Sequence, residues 1–185
     1  MAGAINGWNM AVAAEPRPHV TTMGVIFNRD GQVFIFRRTD QVRSAKNCWS
    51  MVSGLHEIGL RFEQQLAVEA MEEFNIAIDM DTATSVGVYE NIASEDGYHW
   101  VIHVAAVVGD FKALANAEPL KHVCLQLVPL EQLAMITGWS TGLDTFLDNH
   151  LGQLRAYRDW VVAGCQSPEE ASVQVTQLLG TSGQA

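Results

Sequence analysis

The chain has 185 residues, with 48% hydrophobic and 17% charged residues, which suits one folded domain with a substantial core. Its formal net charge of −10 at pH 7 and pI near 4.9 argue against a general nucleic-acid or anionic-membrane surface, since either requires a basic footprint. A small anion can still bind where a metal ion or a few arginines neutralise it.

The first part of the chain is predicted to form β-structure after a short arm. Residues 1–17 are rich in alanine and glycine, which predicts a flexible N-terminal arm. Alternating β-branched and aromatic residues on either side of Asp30-Gly31 predict a β-hairpin. The strands predicted in this part are 20–27, 32–38 and 48–52.

The remainder alternates strands with helices. Strands are predicted at 82–90, 99–108 and 123–130, with a polar loop at 91–97. A short helix is predicted after Pro129, a longer one from Thr141 to Ala163, and a last one after Ser167. This order packs most economically as a mixed sheet between helices.

Residues 54–76 contain three glutamates at helical spacing. Phe62, Leu66, Ala70 and Phe74 form one apolar stripe of the predicted helix. On an adjoining face lie the three carboxylates of Glu69, Glu72 and Glu73. Periodicity alone leaves two interpretations open: a solvated acidic face, or oxygen ligands for a hard divalent cation such as Mg²⁺.

The surroundings of these glutamates resemble the Nudix hydrolases, MutT-like enzymes that cleave diphosphate linkages. Their box, G-x5-E-x7-R-E-U-x-E-E-x-G-U with U a bulky aliphatic residue, fits when laid on Gly54, and then Glu69, Glu72 and Glu73 match its three metal-binding glutamates. Trp49 and Gly54 also keep the spacing of the W-x-x-P-G-G approach to the box. Residues 116–133 resemble the E-P-E-K…W-x-W-V-x-x-E-E-L segment of the branch that cleaves nucleoside triphosphates.

The resemblance implies an α/β (α+β) fold, a Nudix-type α/β/α sandwich with a mixed β-sheet between helices. It covers roughly residues 18–135, and we assign 18–165 to the Nudix-like domain. Extra C-terminal helices follow the resembling part. Residues 166–185 are predicted to form a final helix and a frayed tail.

Three departures make the box degenerate. Leu60 replaces its first glutamate, Val68 its arginine and Asn75 its glycine. Asparagine is the next-best residue at a left-handed helix end, so that change is mild. Loss of the arginine predicts a more repulsive carboxylate cluster without metal, with raised carboxylate pKa values.

The resemblance implies a Mg²⁺-dependent pyrophosphohydrolase, with Mn²⁺ as a substitute ion. The catalytic residues would be Glu69, Glu72 and Glu73, and these three would hold the metal together with the carbonyl of Gly54. The substrate would be a nucleoside triphosphate or another nucleoside diphosphate derivative. The ion would bridge the phosphates and activate water.

Four further residues are candidates for substrate binding. Arg37 or Arg38, on opposite faces of one strand, would clamp phosphate, with a plain surface position as the alternative for either. Trp49 would border the base, or else fill the interface between sheet and helix. His56 would contact phosphate or move a proton, or else be a structural loop residue.

Other functions on the same fold stay open. Leu60, Val68 and Leu120, which stands where relatives often carry another glutamate, favour a catalytically impaired protein that binds a nucleotide or a protein partner. A nucleotide-sugar hydrolase, or glycosyl transfer from a nucleotide sugar, is less favoured.

The expected partner is a small-molecule nucleotide, with no nucleic acid and no membrane. A homodimer would form through the apolar face of the helix from Thr141 onward. The three cysteines lack a pairing or zinc-binding motif, which favours a reducing compartment, the cytoplasm.

Overall fold

A computed structural model describes residues 18–92, 99–140 and 142–165. The predicted arm at 1–17 and the predicted last helix and tail at 166–185 lie outside the described residues, as does most of the polar loop at 91–97.

Within the described residues, seven strands form one mixed sheet, with helices on its faces. The strands are β1 His19–Phe27, β2 Gln32–Arg38, β3 Trp49–Ser50, β4 Val52–Leu55, β5 Ala77–Asn91, β6 Trp100–Asp110 and β7 His122–Pro129. The helices are α1 Phe62–Phe74 and α2 Leu143–Val162, with a 3₁₀ helix at Leu130–Met135. The predicted mixed sheet between helices is confirmed.

The predicted hairpin forms at its turn, but its strands then separate. Asn28 Oδ1 accepts hydrogen bonds from the backbone N–H groups of Asp30 at 3.1 Å and Gln32 at 2.8 Å. β1 and β2 pair only at Phe27 and Val33. β1 instead runs parallel to β6 and antiparallel to β4, while β2 pairs with β7 and β3.

Two strand predictions were wrong in their bounds. The single strand at 48–52 is two strands separated by Met51, because β3 pairs with β2 and β4 pairs with β1 after those partners diverge. β5 begins at Ala77 instead of residue 82. Register shifts against β6 at Asp79/Thr84 and Ser85/Gly87 break the two-residue alternation by which a strand is recognised in sequence.

The sheet has an apolar core on each face. On one face α1 buries the predicted stripe residues Leu66, Ala70 and Phe74, while Phe62 is half-buried. The helix approaches β1 so closely that a Cβ on Gly24 would lie 2.6 Å from Leu66.

The other face of the sheet is covered by α2. The apolar residues of this helix that pack there are Leu143, Phe146, Leu147, Leu154, Tyr157 and Val161. The surface from which we expected a homodimer is therefore occupied within the chain, and the dimer stays a prediction. None of the described helices is long and apolar enough to cross a membrane.

Candidate active site

Helix α1 carries the three glutamates and is fixed at both ends. At its start the Arg61 N–H donates to Gln64 Oε1 at 2.8 Å. At its end Asn75 adopts the left-handed conformation, with φ 54° and ψ 38°, and the Ile76 N–H donates to the carbonyl of Ala70 at 3.0 Å. The prediction that asparagine serves in place of the glycine at this helix end is confirmed.

The Glu69 carboxylate lies directly against the backbone of Gly54. A Cβ on Gly54 would lie 1.9 Å from Glu69 Oε1 and 2.0 Å from its Cδ, so only glycine leaves room for this side chain. Gln65, which is buried, donates from Nε2 to the same Oε1 at 2.9 Å. Burial, chiefly, raises the pKa of Glu69, and the charges of Glu72, Glu57 and Glu118 add to the rise.

The Glu73 side chain is only 16% exposed. Burial, followed by the negative charges of Glu69 and Glu118, raises the pKa of Glu73 from 4.5 to about 8. Its Oε1 lies 4.0 Å from His122 Nε2, within reach of an ion pair. Burial also lowers the pKa of His122 to about 4. Between pH 4 and pH 8, Glu73 and His122 are therefore both neutral, and their contact is not an ion pair.

The pKa values of Glu69 and Glu73 are raised, in the expected direction, but burial contributes more than repulsion between the carboxylates, so the missing arginine is not the main cause. Val68, at the position of that arginine, is 38% exposed. A positive charge reaches Glu73 from elsewhere: Arg38, on β2, lowers the pKa of Glu73.

These residues fit a divalent cation in part. Glu69 and Glu73 are partly buried carboxylates with raised pKa values, and the Glu69 carboxylate lies against the backbone of Gly54. Oxygen donors of this kind suit Mg²⁺ or Mn²⁺. Glu72 is exposed on the solvent side of α1, so its part in a metal site stays a prediction.

An open cleft of about 220 Å³ lies beside Gly54, between the carboxyl end of β5 and the amino ends of β1 and β6. Arg38 and Gly54 both line it. Two aromatic side chains, Tyr89 and Trp100, lie on its wall, and small polar residues such as Ser53 complete it. The cleft is thus lined by the Arg38 guanidinium, by Gly54 and by aromatic surface, and by none of the three glutamates. Of these, Glu69 lies against Gly54.

The two candidate arginines differ in environment. Arg38 is half-buried in the cleft and donates from Nε to the carbonyl of Ser44 at 3.2 Å. Arg37 is exposed and donates from Nε to the carbonyl of Asn47 at 3.1 Å. Arg37 is not among the residues that line the cleft. The structure thus brings Arg38, and not Arg37, to the candidate site.

Trp49 and His56 lie near the site without lining the cleft. Trp49 packs against the core under α2, and its backbone N–H donates to the carbonyl of Gly138 at 2.8 Å. The His56 ring packs against Phe62, with ring centroids 4.3 Å apart, and Phe62 in turn stacks on His103. Substrate binding by Trp49 or His56 stays a prediction.

Sequence reasoning missed three residues of this region. Tyr89 and Trp100 stand in strands whose loop carries no motif, so nothing in the sequence signalled that they share a cleft. His122 begins β7 and lies against Glu73 only because β7 pairs with β2 next to α1. Glu118, four residues before His122, also approaches Glu73, and its negative charge contributes to the raised pKa of Glu73.

Comparison by sequence finds no matching family model and no matching curated protein. Comparison by structure finds solved proteins of similar fold. A MutT NUDIX hydrolase from Burkholderia pseudomallei is 24% identical with a TM-score of 0.60, over 71% of this chain and 97% of that chain.

Two further structures agree. A MutT protein from Methanosarcina mazei Go1 is 14% identical with a TM-score of 0.62, over 75% of this chain and 96% of its own. The E. coli ORF135 protein is 20% identical with a TM-score of 0.59, over 77% and 94%. The chain thus has the fold of the MutT and Nudix hydrolases, as the resemblance of its sequence implied.

Proposed function

We propose that this protein is a metal-dependent pyrophosphohydrolase that cleaves the diphosphate linkage of a nucleoside triphosphate or a related nucleoside diphosphate derivative. The observation that carries the proposal is the contact between Gly54 and the Glu69 carboxylate, where a Cβ would lie 1.9 Å from Oε1. A solvated acidic face would not require a glycine opposite one of its carboxylates. The shared fold and the spacing of the glutamates from Gly54 support the same reading.

The ion, Mg²⁺ or Mn²⁺, would be held by Glu69, Glu73 and the Gly54 carbonyl, with Glu72 at the exposed edge of the set. When bound, such an ion supplies Lewis-acid stabilisation of phosphoryl oxygens and lowers the pKa of bound water. Gln65 holds the Glu69 carboxylate in place through the 2.9 Å hydrogen bond to its Oε1. Burial of Glu73 favours its neutral form, so ion binding at pH values below about 8 requires this group to lose a proton.

The cleft supports a nucleotide as the substrate class. Arg38 is placed to pair with phosphate oxygens, because a guanidinium offers parallel N–H donors. Tyr89 and Trp100 offer aromatic faces on which a base can stack. These groups line one cleft together with Gly54, so a substrate with its base on the aromatic wall would extend its phosphates toward the glutamates.

A second function is favoured by one observation. Val68 is exposed, and no described basic residue lies in the last turn of α1, so the helix itself supplies no cation to the glutamates. A protein with such a helix can bind a nucleotide without turning it over, as a sensor or a scaffold.

One experiment separates the two functions. The protein is incubated with Mg²⁺ or Mn²⁺ and a panel of nucleoside triphosphates, nucleotide sugars and dinucleotides, and release of pyrophosphate or phosphate is measured. Hydrolysis that Glu73→Gln abolishes supports the enzyme. Nucleotide binding by calorimetry without turnover of any substrate, and with Glu73→Gln binding equally well, supports the sensor and refutes the enzyme.

A further inference from the structure

The floor of the cleft runs across the sheet, from aromatic residues at one end to a loop at the other. One row of register partners on β5, β6, β1 and β4 lines it: Tyr89, Ile102, Thr21 and Leu55. β6 pairs along one edge of β1, so β4 and β2 both pair with its other edge. Arg38, the last residue of β2, and the loop after it therefore lie at the opposite end from Tyr89 and Trp100.

The loop at residues 39–48, here called the basic loop, brings positive charge into an acidic protein. Of the 11 lysines and arginines of the chain, four fall within residues 37–46, where Asp40 is the single acidic residue. These four cations are Arg37, Arg38, Arg43 and Lys46. The net charge of the whole chain is −10, so this stretch is a local reversal of sign. Positive charge beside a cleft attracts anionic ligands and raises their local concentration.

The basic loop reaches the cleft and is held in shape by the two arginines that precede it. Three of its residues line the cleft: Ser44, Ala45 and Cys48. Arg38 Nε donates to the carbonyl of Ser44 at 3.2 Å, and Arg37 Nε donates to the carbonyl of Asn47 at 3.1 Å. Because these bonds fix the backbone on both sides of Lys46, a ligand that meets the loop need not pay the full entropy of ordering it.

The order of groups along the cleft decides which part of a substrate meets the basic loop. In the function proposed above, the base lies on Tyr89 and Trp100, and the cleaved linkage lies near Gly54. The part of the substrate beyond that linkage, its leaving group, then extends toward Arg38 and the loop. An anionic leaving group can pair with the cations there, whereas a neutral sugar offers them no charge.

We propose that the basic loop selects substrates whose leaving group is itself a phosphate or polyphosphate, with Arg43 and Lys46 as the residues that confer the selection. Both side chains belong to exposed residues, one on each side of the cleft-lining pair Ser44 and Ala45. The inference rests on the proposed function and narrows its substrate class to nucleoside triphosphates and longer nucleoside polyphosphates. Nucleotide sugars are the disfavoured class.

The first test measures binding without turnover. Calorimetry with chelator present compares ATP, whose terminal group is anionic, with ADP-glucose, whose terminal group is a neutral sugar. We expect the wild-type protein to bind ATP at least about fivefold more tightly. Arg43→Gln and Lys46→Gln should each weaken ATP binding by about two- to fivefold and leave ADP-glucose binding unchanged.

Lys112→Gln is the matched control for the loss of one positive charge. The Lys112 side chain is 90% exposed and follows the carboxyl end of β6, whereas the cleft lies at the amino end of that strand. ATP affinity in this variant should equal that of the wild type. Equal binding of ATP and ADP-glucose by the wild type, or the same effect of Lys46→Gln on both probes, would overturn the proposal.

The second test uses steady-state kinetics with Mg²⁺. The ratio of kcat/KM for ATP to kcat/KM for ADP-glucose should fall by about two- to fivefold in Arg43→Gln and in Lys46→Gln, through KM for ATP and with little change in kcat. A loop residue with a merely structural role would change both substrates alike. Raising the salt concentration from 0.05 to about 0.5 M should narrow the wild-type ratio, since exposed charges are screened.

The two proposals fail in different ways. Hydrolysis of ATP and ADP-glucose with equal kcat/KM, unaltered in the loop variants, would refute the selection and leave the enzyme intact. Conversely, loop-dependent preference for ATP in binding, by a protein that hydrolyses neither compound, would refute the proposed enzyme and leave the basic loop as a polyphosphate-binding element.

Discussion

Replacing Gly54 with alanine should move the Glu69 carboxylate and little else. The new Cβ would lie 1.9 Å from Oε1, 2.0 Å from Cδ and 2.5 Å from Cγ, far inside van der Waals contact. The carboxylate must retreat by at least about 1 Å, and a displacement of that size in a catalytic group lowers turnover by about 100-fold. Gly54 does not adopt a left-handed φ, so the backbone of β4 accepts alanine without strain.

The assay is metal-dependent release of pyrophosphate, with Mn²⁺ affinity measured in parallel by calorimetry. We expect Gly54→Ala to lose about 100-fold in kcat and to bind Mn²⁺ more weakly, with a Tm close to that of the wild type. Gly152→Ala is the matched control, because a Cβ there meets nothing within 4 Å. It lies inside α2 and should gain about 0.5–1 kcal/mol of stability with unchanged turnover. Wild-type turnover and Mn²⁺ affinity in Gly54→Ala would refute the argument from this contact.

Three further predictions concern charge. Because the folded-state pKa of Glu73 lies near 8, above its ordinary 4.5, the metal-free protein loses stability as pH rises through that window. Glu73→Gln should therefore raise the free energy of unfolding, by at most about 5 kcal/mol at pH 8 and by little at pH 4.5. Urea denaturation in the presence of a chelator measures this, and an equal effect at both pH values would contradict the prediction. Arg38→Gln should raise KM by about 10- to 100-fold, because charged hydrogen bonds to the substrate phosphate are lost. A larger rise in KM for Arg37→Gln would show that Arg37, and not Arg38, binds the phosphate. Val68→Arg should raise the free energy of unfolding of the metal-free protein by about 0.2–0.5 kcal/mol through an i,i+4 pair with Glu72, as measured by urea denaturation with chelator. Val68→Gln is the uncharged comparison, and equal stabilities of the two variants would exclude that pairing.

Much of the fold follows from local patterns. The apolar stripe of α1, the Asp30-Gly31 turn and the helical period of α2 each depend on residues within a few positions of one another, so periodicity and turn chemistry are enough to predict them. β5 was predicted too short, because its two register shifts remove the alternation that marks a strand. The split of 48–52 into β3 and β4 depends on where β1 and β2 diverge, which is a long-range property of the sheet.

The candidate site divides in the same way. The spacing from Gly54 to Glu69, Glu72 and Glu73 is local, since it spans one loop and one helix. The resemblance that this spacing carries implied the candidate metal-binding set, which stays a prediction. The choice between Arg37 and Arg38 depends on which face of β2 meets the cleft. Alternation along a strand predicts only that the two side chains point to opposite faces of the sheet.

The sequence by itself therefore determined the element order, the helix that carries the carboxylates and the glycine that precedes it. Only the tertiary structure decided which glutamate is buried, which arginine reaches the cleft, and that His122 lies 4.0 Å from Glu73. The physical reason is that desolvation and charge–charge interaction depend on distance in space, and here the interacting residues stand on α1, β2 and β7. Strand pairing brings these elements together, and no pattern within a single segment encodes that pairing.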